Sequence, residues 1–172
     1  MKAEKKHSAE NINFMVEILL PVKAYVALMA EGGNGSVQID NLQVEKVEIN
    51  IDNGVVTLKS ITAAEVSAET KNGQLLFADV SGTIRGRTGN GQIRLSAERI
   101  DRWPINLSTG NGNILVYTAR MPANATIDAQ SGIGNIIIFA SRSSRTGKWT
   151  DGNGENLILL RTGNGSIKVE RR

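Results

Sequence analysis

Four carboxylates in the first half of the chain, Glu48, Asp52, Glu65 and Glu69, are the residues on which bond-breaking chemistry would rest. Carboxyl groups opposed across one surface can serve as acid and as base or nucleophile on a glycosidic bond, and crowding of like charge shifts their pKa values. A carbohydrate-active β-helix would need such a cluster on one outer face. No companion supports that use here. The single histidine, His7, lies in the polar opening MKAEKKHSAENIN, and neither Tyr nor an aromatic sugar platform accompanies the acids. An acidic face in water is the plainer arrangement, and no catalytic residue is assigned.

Five arginines, Arg85, Arg87, Arg94, Arg99 and Arg102, form the candidate anion-binding set. Guanidinium groups recognise phosphate, uronate or an acidic protein face through bidentate hydrogen bonds. No aromatic residues are interleaved among them at stacking positions, which argues against a single-stranded nucleic-acid surface. An acidic polymer is the anionic partner such a groove would suit, nucleic acid is not expected, and ordinary charges on a solvated face are the alternative reading.

Other chemistries are excluded by composition. With no Cys in 172 residues there is no disulfide scaffold, thiolate metal site or cysteine nucleophile, and His7 offers no Ser-His-Asp arrangement. The phrases GGNG, TGNG and DGNG lack the Lys-Ser/Thr step of a phosphate-binding loop. A calcium roll needs aspartates in its glycine turns, where this chain places Asn34, Asn72, Asn90, Asn111 and Asn164. No metal and no cofactor are expected.

How these side chains are positioned depends on a repeat. The phrases EGGNGSVQI, NIDNGVVTL, ETKNGQLLF, RTGNGQIRL, STGNGNILV, QSGIGNIII and RTGNGSIKV end their turn on Gly35, Gly54, Gly73, Gly91, Gly112, Gly134 and Gly165. The intervals are 19, 19, 18, 21, 22 and 31 residues. Two residues after the glycine stand Val37, Val56, Leu75, Ile93, Ile114, Ile136 and Ile167; four after it stand Ile39, Leu58, Phe77, Leu95, Val116, Ile138 and Val169. Seven residues before it come Leu28, Val47, Val66, Ile84, Ile105, Ile127 and Ile158. Alternate apolar positions on both sides of a fixed glycine specify two short strands per repeat.

Asn precedes the glycine in six copies, Ile133 being the exception, and Asn-Gly suits a backbone with positive φ. Read locally, Asn-Gly would close antiparallel hairpins of a sandwich or barrel. Identical columns at near-constant period instead favour a solenoid, in which each coil lies on an equivalent coil. The expected fold is all-β: a single-domain β-solenoid (β-helix or β-roll) of about seven coils with Asn-Gly turns. Residues 1–11 read as a flexible tail and residues 12–172 as the solenoid domain, with a Gly/Ser/Thr-rich loop excursion at 141–156. Open solenoid ends need cover, and residues 12–30, with Phe14 and residues 18–20, can cap the first coil.

Charge is polarised along the chain. Residues 1–80 carry 7 basic and 11 acidic side chains, and residues 81–172 carry 13 and 6, within an overall surplus of +3. No secretory apolar core follows MKAEKK directly, and INFMVEILLPVKAYVALMA is broken by Glu17, Pro21 and Lys23, so no transmembrane helix is expected. A cytoplasmic placement and a peripheral one at the cell envelope are both compatible with these features.

With its columns laid out, the chain resembles the adhesin-like family known as domain of unknown function 4097. The resemblance rests on RTGNGQIRL, STGNGNILV and RTGNGSIKV, the opening FMVEILLPVKAYV and the late MPANATIDAQSGIGNI, and covers roughly residues 12–170. It implies a β-solenoid, often in proteins of the bacterial envelope or of envelope-stress operons, and brings no catalytic residues with it.

Strand alternation turns Leu76, Leu115, Tyr117, Ile137 and Phe139 outward, opposite the core columns; Leu157 and Leu159 repeat the oddity on the first strand. Neighbouring outward apolar residues need a cover. Trp149 in the 141–156 excursion can supply one internally, and a homo-oligomer or another protein partner is the other source. Trp103, before Pro104, reads as a corner-packing residue. The functional reading is a non-enzymatic structural or adhesion-like binding module, with the carbohydrate-active enzyme as its rival.

Overall fold

The computed structural model describes residues 25–172; the expected tail at 1–11 and the capping contacts of Phe14 and residues 18–20 lie outside them. Every regular element among the described residues is a strand: β1 Tyr25–Asn90, β2 Ile93–Ala97, β3 Ile105–Asn111, β4 Ile114–Thr118, β5 Ala125–Ile138, β6 Ser141–Asp151, β7 Asn156–Asn164 and β8 Ile167–Arg171. All eight join one sheet. The architecture is all-β and β-solenoid-like.

Repeat positions stack on their equivalents. Before the repeat glycine, Ile84 of β1 pairs in parallel with Ile105 of β3, Ile105 with Ile158 of β7, and Ile158 with Ile127 of β5. After it, the parallel series runs from Leu75 through Ile93, Ile114 and Ile167 to Ile136. Hairpins at Asn-Gly would instead pair the two strands of one repeat antiparallel. The antiparallel pairing recorded here joins β5 to β6, so the hairpin reading does not describe this fold.

Inward columns form the core. Leu75, Ile93, Ile114, Ile136 and Ile167 are completely buried, as are Leu95, Leu107, Val116, Leu160 and Val169. Each such side chain contributes about 1.5–3 kcal/mol on leaving water. The polar column three residues before the glycine is buried too, and it satisfies itself by hydrogen bonding. Thr88, Thr109 and Thr162 donate Oγ1 to the carbonyls of Gly73, Gly91 and Gly112 (3.3, 3.1 and 2.9 Å), and Ser131 donates Oγ to that of Gly165 (2.9 Å).

The repeat glycine is demanded twice over. At Gly35, Gly54, Gly91, Gly112, Gly134 and Gly165 φ lies between 141° and 153°, and a Cβ on Gly54, Gly73, Gly91, Gly112, Gly134 or Gly165 would land on the carbonyl oxygen of the glycine stacked beneath it. Beside it runs a ladder of amides. Asn53 donates Nδ2 to Asn34 Oδ1, Asn72 to Asn53, Asn90 to Asn72, Asn111 to Asn90 and Asn164 to Asn111, at 2.7–2.9 Å.

The order in space departs from the order in sequence at the end of the chain. After β4 the chain passes through residues 119–124 and lays down β5 one strand spacing too far away. β7 then fills the gap between β3 and β5, and β8 the gap between β4 and β5. Asn156 locks the inserted strand to the preceding bend, donating Nδ2 to the Trp103 carbonyl (2.9 Å) and the Ile100 carbonyl (3.3 Å).

The loop expected at 141–156 is corrected over 141–151 by β6, while residues 152–155 are turn and irregular backbone. Residues Ser141–Asp151 form a strand antiparallel to β5, from Ser141 opposite Ile138 to Asp151 opposite Ala125. Gly, Ser and Thr there reflect an exposed outermost strand, because an edge requires little apolar surface and benefits from charge. Arg142, Arg145 and Lys148 supply that charge.

Candidate functional site

The carboxylates do not form an opposed cluster, because cations intervene. Glu48 pairs with Lys46 (2.8 Å), Asp52 with Lys71 (2.7 Å) and Glu65 with Arg85 (3.1 Å). Glu69 is exposed and carries no ion pair among the described residues. Mixed charge of this kind is what a solvated face presents. Among the described residues no three His, Asp or Glu side chains gather as a metal would require.

The five arginines expected to bind an anion are distributed over several surfaces. Arg85 and Arg87 lie on β1 before its glycine step, opposite Asn106 and Ser108 of β3. Arg94 lies on β2, with its guanidinium carbon 5.1 Å from the centre of the Tyr117 ring. Arg99 is held by Asp101 through two hydrogen bonds, Nε to Oδ1 at 2.9 Å and Nη2 to Oδ2 at 2.8 Å. Arg102 is exposed in the same bend. The bonds from Arg99, with a third from the Ala123 amide at 2.8 Å, hold the buried Asp101 carboxyl down at about 2. That constellation fastens the β4–β5 connection to the bend before β3, and its cation is already neutralised.

The outward apolar residues are interleaved with cations. Arg94 stands between Leu76 and Leu115 in register, and Lys168 stands between Leu115 and Ile137. Lys168 is there because β8 is inserted between β4 and β5. Tyr117 is buried under two guanidiniums, with Arg172 at 3.7 Å from the ring centre in addition to Arg94 at 5.1 Å. Phe139 has left the strand: at φ 53° it turns at the end of β5 and meets Trp149 edge to face, with 5.2 Å between ring centres. Trp149 is opposite Ile127, an inward position, so the pair closes the end of the core. Leu157 remains exposed, whereas Leu159 is half-buried. Trp103 is 47% exposed, yet it lines a small cavity with Val80, Ile84 and Ile100 at the corner.

Open grooves lie on the ladder faces of the described residues, two of them of substantial size. One, of about 310 Å³, lies over Tyr117 and is bordered by Asp79, Ser96, Glu98, Thr118 and Arg172. The larger, of about 440 Å³, lies where β6 passes the glycine step of β5 and is lined by Ser108, Gln130, Arg145, Thr146 and Arg161 among others. Sequence reasoning missed this second site. The strand partners Arg161 and Gln130 are 31 residues apart, and the composition of β6 reads as loop.

These features define an all-β, β-solenoid-like protein that presents side chains on stacked ladders and in open grooves. Residues 24–170 match the model of the Toastrack family, DUF4097, and the chain belongs to that family. Among solved structures, a "putative cell adhesion protein" from Clostridium sporogenes ATCC 15579 is similar over 87% of this chain and 92% of its own, at 12% identity and a TM-score of 0.40.

Proposed function

We propose that this protein is a non-enzymatic, adhesion-like binding module working at the bacterial cell envelope, built as a solenoid of about seven coils with Asn-Gly turns. The observation that carries this reading is the fate of the acidic residues. Three of the four candidate carboxylates are ion-paired on an open face, an arrangement suited to display and solubility. The stacked coils hold outward side chains at fixed strand spacing, about 4.8 Å, so recognition would extend along a face. Protein contact falls on the mixed column of Leu76, Arg94, Leu115, Lys168 and Ile137.

Co-sedimentation with purified cell-wall and membrane fractions tests the reading, together with an assay for new reducing ends or unsaturated products on the polysaccharides those fractions contain. Retention without turnover is the expected result. Turnover abolished by Glu69→Gln would establish the carbohydrate-active alternative, and absence of retention on every fraction would overturn the binding role.

A further inference from the structure

We infer that the groove between β6 and the glycine step of β5 is a binding site for an acidic glycan, a carbohydrate chain bearing carboxylate or sulfate groups. This rests on the binding-module reading and gives it a ligand class.

The groove exists because β6 does not follow the path of β5. Gln130 pairs with Thr146 and Asn135 with Ser144, so residues 131–134 bend away opposite Arg145 alone. Arg145 takes a left-handed backbone there, φ 71°. The opening, about 440 Å³, is lined by Arg145 and Thr146 of β6, Gln130 of β5, Arg161 of β7 and Ser108 of β3. Ser108, Arg161, Gln130 and Thr146 are consecutive strand partners, so the lining forms one continuous row across four strands. Arg87 extends it, opposite Ser108. Arg87 and Arg161 are thus two strand spacings apart, about 10 Å.

The chemistry of the row selects the ligand. The Arg145 and Arg161 guanidiniums have no hydrogen bond or ion pair among the described residues, whereas those of Arg85, Arg99 and Arg120 each hold an acid. Free guanidiniums supply paired donors for carboxylate or sulfate oxygens. Gln130 and Thr146 follow Arg161 on one side of the row and Ser108 stands on its other side, an amide and two hydroxyls that suit sugar hydroxyls. Gly132 and Gly163 also line it, each packed so closely on the next glycine that a Cβ would meet the carbonyl oxygen of the stacked residue. No aromatic or large aliphatic side chain lines the groove, so neither a nucleobase nor an apolar peptide finds a surface to cover.

Titration calorimetry with heparin, polygalacturonate, neutral dextran and inorganic polyphosphate tests the assignment on wild type, Arg145→Gln/Arg161→Gln, Gln130→Glu and the control Arg171→Gln, at an exposed position outside the groove. We expect heparin or polygalacturonate to bind, dextran not to, Arg171→Gln to match wild type, and both groove variants to lose at least about tenfold in affinity. Gln130→Glu decides the matter should the double variant fail to fold. Wild-type affinity in the groove variants, binding of polyphosphate without glycan, or no glycan binding would each overturn the site. Envelope co-sedimentation of wild type separates the two readings: retention without glycan binding refutes the groove and keeps the module, and lack of wild-type retention refutes the module itself.

Discussion

Replacing Gly112 with alanine tests the stacking argument at its tightest point, and the same change at Gly35 is its internal control. Both glycines have φ near 150°, 153° and 141°, so backbone strain is common to the two and costs about 1–3 kcal/mol. They differ in what lies beneath. A Cβ on Gly112 would occupy the position of the Gly91 carbonyl oxygen, whereas a Cβ on Gly35 meets nothing within 4 Å among the described residues. Accommodating the added methyl group at the first position would require the two glycine steps to separate. Three bonds cross that seam: Gly91 N–H to the Asn111 carbonyl (2.8 Å), Thr109 Oγ1 to the Gly91 carbonyl (3.1 Å) and Asn111 Nδ2 to Asn90 Oδ1 (2.8 Å). At about 1 kcal/mol each, Gly112→Ala should cost about 3 kcal/mol more than Gly35→Ala. Urea unfolding followed by far-UV circular dichroism, with slopes compared as well as midpoints, measures the difference. Equal losses in the two variants would refute the reasoning, since they would assign the requirement to φ alone and remove the evidence for close stacking.

Ile133→Asn places an amide at the position paired with Asn164; continuing the ladder should raise stability by about 0.5–1.5 kcal/mol in the same urea experiment, and a loss would contradict the register of the inserted strand. Lys168→Leu should join Leu115 and Ile137 into one apolar column; light scattering should then show self-association absent from wild type. The Asp101 carboxylate is held at about 2, below its ordinary 3.8, first by the hydrogen bonds of Arg99. A depressed carboxylate stabilises above its unfolded pKa and ceases to as pH falls through the folded one. Wild type should therefore exceed Asp101→Asn by about 1–2 kcal/mol at pH 6, trimmed by screening of the exposed Arg99, and the gap should close between about pH 4 and 2. A gap independent of pH would indicate that packing, not charge, is what Asp101 contributes.

The inward columns were legible because they are written within each repeat. Leu75, Ile93, Ile114, Ile136 and Ile167 share one offset from a glycine, and that offset alone places them in the core, whatever coil lies next to them. The Asn-Gly step is ambiguous locally, since positive φ serves a hairpin as readily as a solenoid corner. Parallel pairing between equivalent positions excludes the hairpin. Phe139 escapes the same rule: its strand ends one residue before it, and nothing in QSGIGNIIIF signals the bend. The edge strand β6 reads as loop because an outermost strand with one exposed side carries few of the apolar residues by which strands are recognised.

Neighbours between coils are a different kind of information. Sequence order sets Leu115 beside Ile137, and it is only the late insertion of β8 that puts Lys168 between them. The same insertion brings Arg161 beside Ser108 and Gln130, turning scattered residues into a polar row while dividing an apolar one. A repeat fixes which side chains point outward; the order in which coils are stacked decides which of them touch. That order depends on connections such as residues 119–124, held by Asp101 to the Ala123 amide, and on Asn156, which reaches back to the Trp103 carbonyl. Each of those anchors is a lone residue outside the repeating columns, so periodicity carries no trace of it. The proposed glycan groove and the mixed apolar face are therefore products of one topological step, and Ile133→Asn and Lys168→Leu probe that step, the first on the neighbour of the inserted β7 and the second within the inserted β8.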